Sequence, residues 1–303
     1  MHHELTSMRE STMSAREHDG PALGGERRYC VADVFSADPF GGNPVAVVVD
    51  AEGLNDEMMA AITRWTNLSE TTFLLPATDP AADYRLRIFT PSTELGFAGH
   101  PTLGSCRAWL AAGGVPRVPG VVVQECGVGL IEVRVGDGDT LSFAAPPLLR
   151  AGSLDPALLD EIVGVLGIHR SAVVSAAHVD NGPGWVGILL SSAAEVLAVE
   201  LADSVHAIGV IGPHAQGSDA AYEVRAFFPE GRRSIEDPVT GSLNASLAQW
   251  LLAEGRVTAP FRVTQGGRLS RTGSIEIDAD GSGQVWVGGV TTVRVSGTID
   301  DSR

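Results

Sequence analysis

Four polar side chains stand where this chain could bind an anion and handle a proton: Glu70, His100, Asp237 and Ser242. His100 opens the run His100-Pro101-Thr102-Leu103-Gly104-Ser105. Asp237 opens Asp237-Pro238-Val239-Thr240-Gly241-Ser242. Each run leads into an apolar, alanine-rich segment, so each is expected at a helix start. The first turn of a helix has unpaired N–H groups and the positive end of the dipole. Such an end holds a carboxylate or phosphate without any basic side chain. Proline suits the first turn, and glycine lets a ligand approach the backbone. If both starts face one cleft, His100 enters from one side and Asp237 from the other, a pair suited to acid–base work on a small anion. Taken singly, Asp237 and Ser242 fit a plain capping role, and His100 a loop histidine. Glu70, in Asn67-Leu68-Ser69-Glu70-Thr71, reads by composition as a solvated carboxylate between a helix and the mouth of a strand.

The elements that must position these residues occur twice. Tyr84, Arg87, Phe89 and Pro91 recur in register as Tyr222, Arg225, Phe227 and Pro229. The His100 and Asp237 runs follow, their alignment shorter by one residue, with His100 matched to Asp237. Apolar segments Cys106 to Ala112 and Leu243 to Ala253 come next, each closing on glycine, as helices do. Then come strands with a glutamine, Val121 to Gln124 and Phe261 to Gln265. Second strands follow at Leu130 to Val135 and Ser274 to Asp278. After Asp-Gly turns, third strands run from Thr140 to Phe143 and from Gln284 to Val287. The boundary is placed near Pro146-Pro147. Apolar spacing predicts further helices over Asn55–Trp65, Pro156–Leu166 and Ala193–Leu201. The two alanine-rich helices carry few charges and are expected to be buried, each within a sheet of short strands.

The chain has 303 residues, more than one core commonly covers. A net charge of -16 argues against a nucleic-acid partner, which needs a basic face. It leaves room for an anionic substrate held by a local donor cluster. Cys30, Cys106 and Cys126 show no metal-type spacing and read as reduced thiols of a cytoplasmic protein. No apolar run reaches the roughly 18 residues of a membrane span. Residues 1–28 are polar, lack a signal-peptide core and are expected to be a disordered tail, with Met8 and Met13 as candidate starts.

Several segments appear together in an order that resembles one family. They are Gly41-Gly42-Asn43-Pro44-Val45-Ala46-Val47, Asn67-Leu68-Ser69-Glu70-Thr71, Arg87-Ile88-Phe89-Thr90-Pro91, Glu94, Phe97-Ala98-Gly99-His100-Pro101, Glu236 to Ser242, and Val287-Gly288-Gly289. Over residues 29–300 the chain resembles the PhzF-like isomerases, named for an enzyme of phenazine biosynthesis and similar in fold to diaminopimelate epimerase. The resemblance implies an α+β fold of two similar, pseudo-twofold-related domains, 29–147 and 148–300, each a β-barrel-like sheet around a central helix. It implies an active site between them, with Glu70 as general acid/base and His100 and Asp237 beside it. Ser242 and the Gly99 and Gly241 backbones would hold a small carboxylate substrate. No metal, flavin or nucleotide is implied, and a homodimer is. The related epimerases use two cysteine thiols, one at each helix start. Here those positions carry His100 and Asp237, which favours a proton shift over stereoinversion. An epimerase or other enzyme on the same scaffold, or a non-catalytic small-molecule binder, are the alternatives.

Overall fold

The computed structural model describes residues 25–231 and 233–302. The chain begins with strands β1 (Glu26–Val34) and β2 (Asn43–Val48), helix α1 (Asp56–Thr66), and strands β3 (Thr71–Leu75), β4 (Tyr84–Phe89) and β5 (Glu94–Leu95). Helix α2 (Gly99–Ala111) follows, then β6 (Val121–Cys126), β7 (Gly129–Val135) and β8 (Thr140–Ala144). A link of β9 (Arg150–Ser153) and α3 (Pro156–Val165) leads to β10 (Val173–Asp180), β11 (Val186–Leu190), α4 (Ala193–Ala198), β12 (Ile208–Pro213), β13 (Tyr222–Glu230) and β14 (Arg233–Asp237). The chain closes with α5 (Gly241–Ala253), β15 (Phe261–Gln265), β16 (Gly273–Ala279) and β17 (Val285–Asp300).

The pairing repeats strand for strand. β1–β2, β3–β4, β4–β5 and β6–β7 are antiparallel, and β2–β3 and β4–β6 parallel. β10–β11, β12–β13, β13–β14 and β15–β16 are likewise antiparallel, and β11–β12 and β13–β15 parallel. The fold is α+β, one continuous 17-stranded sheet whose two similar halves each curl around one central helix. Pro146 and Pro147 lie between β8 and β9. β17 serves both halves: it pairs with β16 from Val285 to Gly288, with β8 from Trp286 to Val290, and with β1 from Thr291 onward.

The central helices are apolar nearly all round, and burial follows. Leu103 and Cys106 of α2, and Leu243, Leu247 and Leu251 of α5, share one continuous core with Val34, Val45, Phe143, Val224 and Val287. The outer helices cover the opposite sheet faces. α1 places Met59 on Val48 and Phe73, while α3 and α4 place Leu159, Ile162 and Val196 on Ile188 and Val210.

Several boundaries differ from the sequence reading. Residues 1–24 of the expected tail lie outside the described residues, but Glu26 to Arg28 belong to β1, paired with Thr298 to Asp300. Arg27 anchors this start on Asp301 at 2.8 Å. α4 stops at Ala198 rather than Leu201. Val199 turns extended, and Arg225 Nη1 donates to the carbonyls of Val196 and Val199 at 3.2 and 2.6 Å. The expected match of His100 with Asp237 is out of register. α2 and α5 open on Gly99 and Gly241 and end on Ala111 and Ala253. Leu95 faces Ile88, and Asp237 faces Ala226, so Asp237 occupies the place of Leu95, and His100 that of Ser242. The Asp237 run starts four residues before its helix, whereas the His100 run lies wholly inside its own.

The two helix starts meet backbone to backbone. A methyl on Gly241 would stand 2.9 Å from the Gly99 Cα and 3.1 Å from the Gly99 carbonyl carbon and the His100 nitrogen. Helical alanine ordinarily stabilises over glycine by about 0.4–1 kcal/mol. At this contact only main chain lies opposite, so the sign should reverse. Gly241→Ala is expected to destabilise by about 1–3 kcal/mol, measured as a lower melting temperature; an unchanged or higher one would contradict the abutment.

Candidate active site

Glu70 lies in the turn between α1 and β3. Asn67 takes the left-handed conformation at φ 56, which ends α1, and the Thr66 and Thr71 hydroxyls meet at 2.8 Å across the turn. Ser105 of α2 donates to Thr72 Oγ1 at 2.8 Å. That bond fixes the strand after Glu70 against the helix that carries His100. The Glu70 carboxyl and the His100 ring are 14% and 5% exposed, and their Oε2 and Nε2 atoms stand 3.2 Å apart. The two atoms lack hydrogen-bond alignment, and each is buried without another partner.

Asp237 comes from the other half. Its Oδ1 accepts from Asn43 Nδ2 at 3.0 Å and its Oδ2 from the Thr240 hydroxyl. Asn43 Nδ2 also donates to the Val239 carbonyl at 2.9 Å and lies 3.4 Å from His100 Nδ1. Gln265 supports this wall. Its Oε1 accepts from the Thr240 backbone at 3.0 Å, and its Nε2 donates to Thr240 Oγ1 at 3.0 Å. The only hydrogen of the Thr240 hydroxyl is thereby left for Asp237.

Neither helix start has a side-chain cap: Ala98 and Thr240 hold the N-cap positions without capping bonds. The first backbone hydrogen bonds into these ends are Thr102 N to Ala98 O and Asn244 N to Thr240 O. The N–H groups of Gly99, His100, Gly241, Ser242 and Leu243 precede them. They are donors at the positive poles of two abutting helices, suited to a carboxylate.

Burial sets the titration of the cluster. It pushes Glu70 up to about 8, helped by the charge on Asp237. It pushes His100 down to about 3. Asp237 rises to about 6, burial outweighing the hydrogen bonds from Thr240 and Asn43. At neutral pH the cluster therefore holds a protonated Glu70, a neutral His100 and an ionised Asp237. This is an acid and a base set apart by surroundings rather than by residue type. Among the described residues, no group of three or more His, Cys, Asp or Glu side chains is arranged to hold a metal ion.

The structure thus brings Glu70, His100 and Asp237 together, with Gly99 and Gly241 at the helix junction. Ser242 stands differently. Its Oγ accepts from the Trp185 indole at 3.2 Å and its carbonyl from Asn181 at 2.9 Å. Among the described residues, no hydrogen bond joins it to the Glu70 cluster. Sequence reading gave no role to Asn43, Thr240, Gln265 or Trp185. The recurrence of Gln124 and Gln265 was a usable signal: Gln124 likewise donates to Thr102 of α2 at 3.1 Å. Nothing in the sequence pointed to Trp185.

The model of the phenazine biosynthesis-like proteins, PhzC-PhzF, matches residues 32–298. The chain is 35% identical to antisense-enhancing sequence 1 of Schizosaccharomyces pombe, over 90% of this chain and 98% of that one. It is 32% identical to trans-2,3-dihydro-3-hydroxyanthranilate isomerase of Pseudomonas aeruginosa, over 89% and 95%. A PhzF-family phenazine biosynthesis protein of Bacillus anthracis shares the fold, with a TM-score of 0.76 at 20% identity over 90% of this chain and 99% of that one. No helix among the described residues is long and apolar enough to cross a membrane. With the family model spanning both halves, the chain belongs to the phenazine biosynthesis-like (PhzC-PhzF) family, as one of its isomerases.

Proposed function

We propose that this isomerase shifts a proton between positions of a small carboxylate, using Glu70 alone as base and then as acid. The observation that carries the reading is an enclosed carboxyl, with its pKa lifted to about 8 and Oε2 unpartnered, facing His100 beside two uncapped helix starts. The helix ends receive the substrate carboxylate and hold the reacting carbon near Glu70. Ionised Glu70 removes the proton, and its raised pKa makes it a stronger base than an ordinary glutamate. The neutral His100 ring and the donors at the helix ends stabilise the charge that develops. Protonated Glu70 then returns the proton at another carbon. No metal or cofactor enters this scheme.

The pairing also favours a shift over stereoinversion. Thr71 faces Phe89, and Ile208 faces Phe227, so the counterpart of Glu70 in the second half is Ala207. The counterpart of His100 is Ser242, whose hydroxyl is engaged by Trp185. Neither position supplies a second base for the opposite face, as inversion by two bases requires, and Asp237, the carboxylate from that half, has both oxygens engaged by Asn43 and Thr240.

Trans-2,3-dihydro-3-hydroxyanthranilate, named for the Pseudomonas relative, is the first probe, followed by other cyclic and amino carboxylates. In heavy water the enzyme is expected to wash deuterium into a carbon position of its substrate. Glu70→Gln should lower that rate by about 10²–10⁴-fold while ligand binding, read as thermal stabilisation, persists. Exchange at the parental rate would remove Glu70 from this role.

The raised pKa also fixes a pH dependence. If ionised Glu70 is the base, kcat/KM should climb with pH, reach half its plateau near pH 8 and level off above it. Stability runs the other way. A carboxyl whose pKa is higher folded than unfolded favours the folded state below its ordinary pKa. That advantage is lost as pH rises through the folded value. Glutamine has no such loss, so Glu70→Gln should gain stability over the parent between about pH 5 and pH 8.5, on the order of a few kcal/mol. A pH-independent difference in melting temperature would contradict the shift.

A further inference from the structure

We propose that Asn43 is a positioning residue whose carboxamide holds His100 in its Nε2–H tautomer, so that the ring atom nearest Glu70 carries an N–H rather than a lone pair. Asn43 is 1% exposed and opens β2, opposite Val34 of β1. The turn into it is fixed by Asp33 Oδ1, which accepts from Gly42 N at 3.0 Å. The side chain crosses from the first half to the second.

Its orientation follows from what it faces. The Val239 carbonyl at 2.9 Å and Asp237 Oδ1 at 3.0 Å are acceptors, so the amide nitrogen, not its oxygen, must point at them. The same nitrogen lies 3.4 Å from His100 Nδ1. Its two hydrogens serve three acceptors, and the contact to the ring is the longest. A nitrogen that carries only hydrogens can meet Nδ1 only if Nδ1 offers a lone pair. In a neutral imidazole the proton is then on Nε2. Burial keeps His100 neutral, so the choice of tautomer is real throughout the working pH range. Nε2 is the ring atom 3.2 Å from Glu70 Oε2.

The consequence for the site rests on the reading of Glu70 as the base. An N–H at Nε2, even without hydrogen-bond alignment, sets positive charge 3.2 Å from Glu70 Oε2 and favours its carboxylate, whereas a lone pair there would favour the carboxylic acid. Asn43 therefore keeps the basic form of Glu70 within reach despite burial. The same amide steadies the ionised form of Asp237. One side chain thus sets the proton inventory of groups from both halves.

The test uses protein labelled with ¹⁵N-histidine and nitrogen NMR, with His100 assigned by the signals lost in His100→Gln. In the unliganded parent near neutral pH, His100 is expected to show a pyrrole-type Nε2 and a pyridine-type Nδ1. A pyrrole-type Nδ1, or an imidazolium, overturns the proposal without need of a variant at Asn43. Asn43→Leu keeps the volume and removes the N–H groups. It should admit the Nδ1-protonated form and lower the deuterium-exchange rate about tenfold, chiefly in kcat rather than KM. The parental nitrogen pattern in Asn43→Leu would show that something other than Asn43 selects the tautomer. If no carboxylate exchanges with any variant, the Glu70 reading fails, while the ring signals still decide the tautomer.

Discussion

Two helix N-termini pressed together at Gly99 and Gly241 are the constraint on which the rest of this molecule turns. Each end bears roughly half a positive charge, and neither is capped by a side chain. Like poles in contact repel unless something negative stands beside them. Asp237, held by Thr240 and Asn43 next to the start of α5, supplies part of that charge. A substrate carboxylate would supply more. Glycine is demanded at 241 because only main chain lies opposite, which cannot swing away, and at 99 because a Cβ would meet the Gly241 Cα at 2.9 Å and the Phe143 ring at 2.7 Å. The two halves of the sheet bring these ends together. They are joined by β8 pairing with β17, by β17 crossing to β1, and by the Thr272 and Ser274 amides bonding to the Gly41 and Phe35 carbonyls at 2.8 and 2.7 Å.

The enclosure that follows from this junction also decides who holds the protons. Burial disfavours charge on any group, so it moves a carboxyl and an imidazole in opposite directions: Glu70 up, His100 down. Both become neutral at neutral pH. Asp237 departs least because two donors already satisfy its oxygens. The supply of those donors runs back into the sheet. Gln265 of β15 occupies the Thr240 oxygen, which turns the Thr240 hydroxyl hydrogen toward Asp237. A glutamine on a strand beneath the helix thereby governs a carboxylate of the site.

Much of this framework was legible in the sequence. The period of apolar residues located α1 and α3 to within a residue, with Asn55 and Asp155 as their caps. β15 has the predicted bounds, and the repeat of strands around a central helix holds throughout. The register of the repeat did not survive. Pro-x-x-Gly-Ser occurs in both halves, but helix starts draw on a short list of residues. The motif recurs five positions earlier, relative to its helix, in one half than in the other. Strand partners settle such an ambiguity, and they are long-range information that no local motif contains. The same reason hides Asn43. Its neighbours Val239 and Asp237 are nearly 200 positions away, and an asparagine after two glycines reads locally as a turn.

What the two halves kept in common differs in kind from what they let diverge. Arg87 clasps Glu94 through two bonds of 2.7 Å, and Arg225 clasps Glu236 at 2.9 and 2.7 Å. Each guanidinium also lies over a phenylalanine, Phe89 or Phe227, about 5 Å from the ring centre. Both copies thus retain the clasp that holds the short strand leading to the helix start. The groups at the chemistry are not retained: Glu70 faces Ala207 across the repeat, Leu95 faces Asp237, and His100 faces Ser242. A symmetric pair of walls offers a base on each face of a substrate, which suits inversion of a centre. Walls that share poles and clasps but carry one enclosed glutamate suit a proton taken and returned by a single group. At the junction Glu70 comes from one copy and Asp237 from the other, so the proposed single-base shift depends on Asp237 being engaged by Asn43 and Thr240, while the proposed anion site needs a helix start from each half.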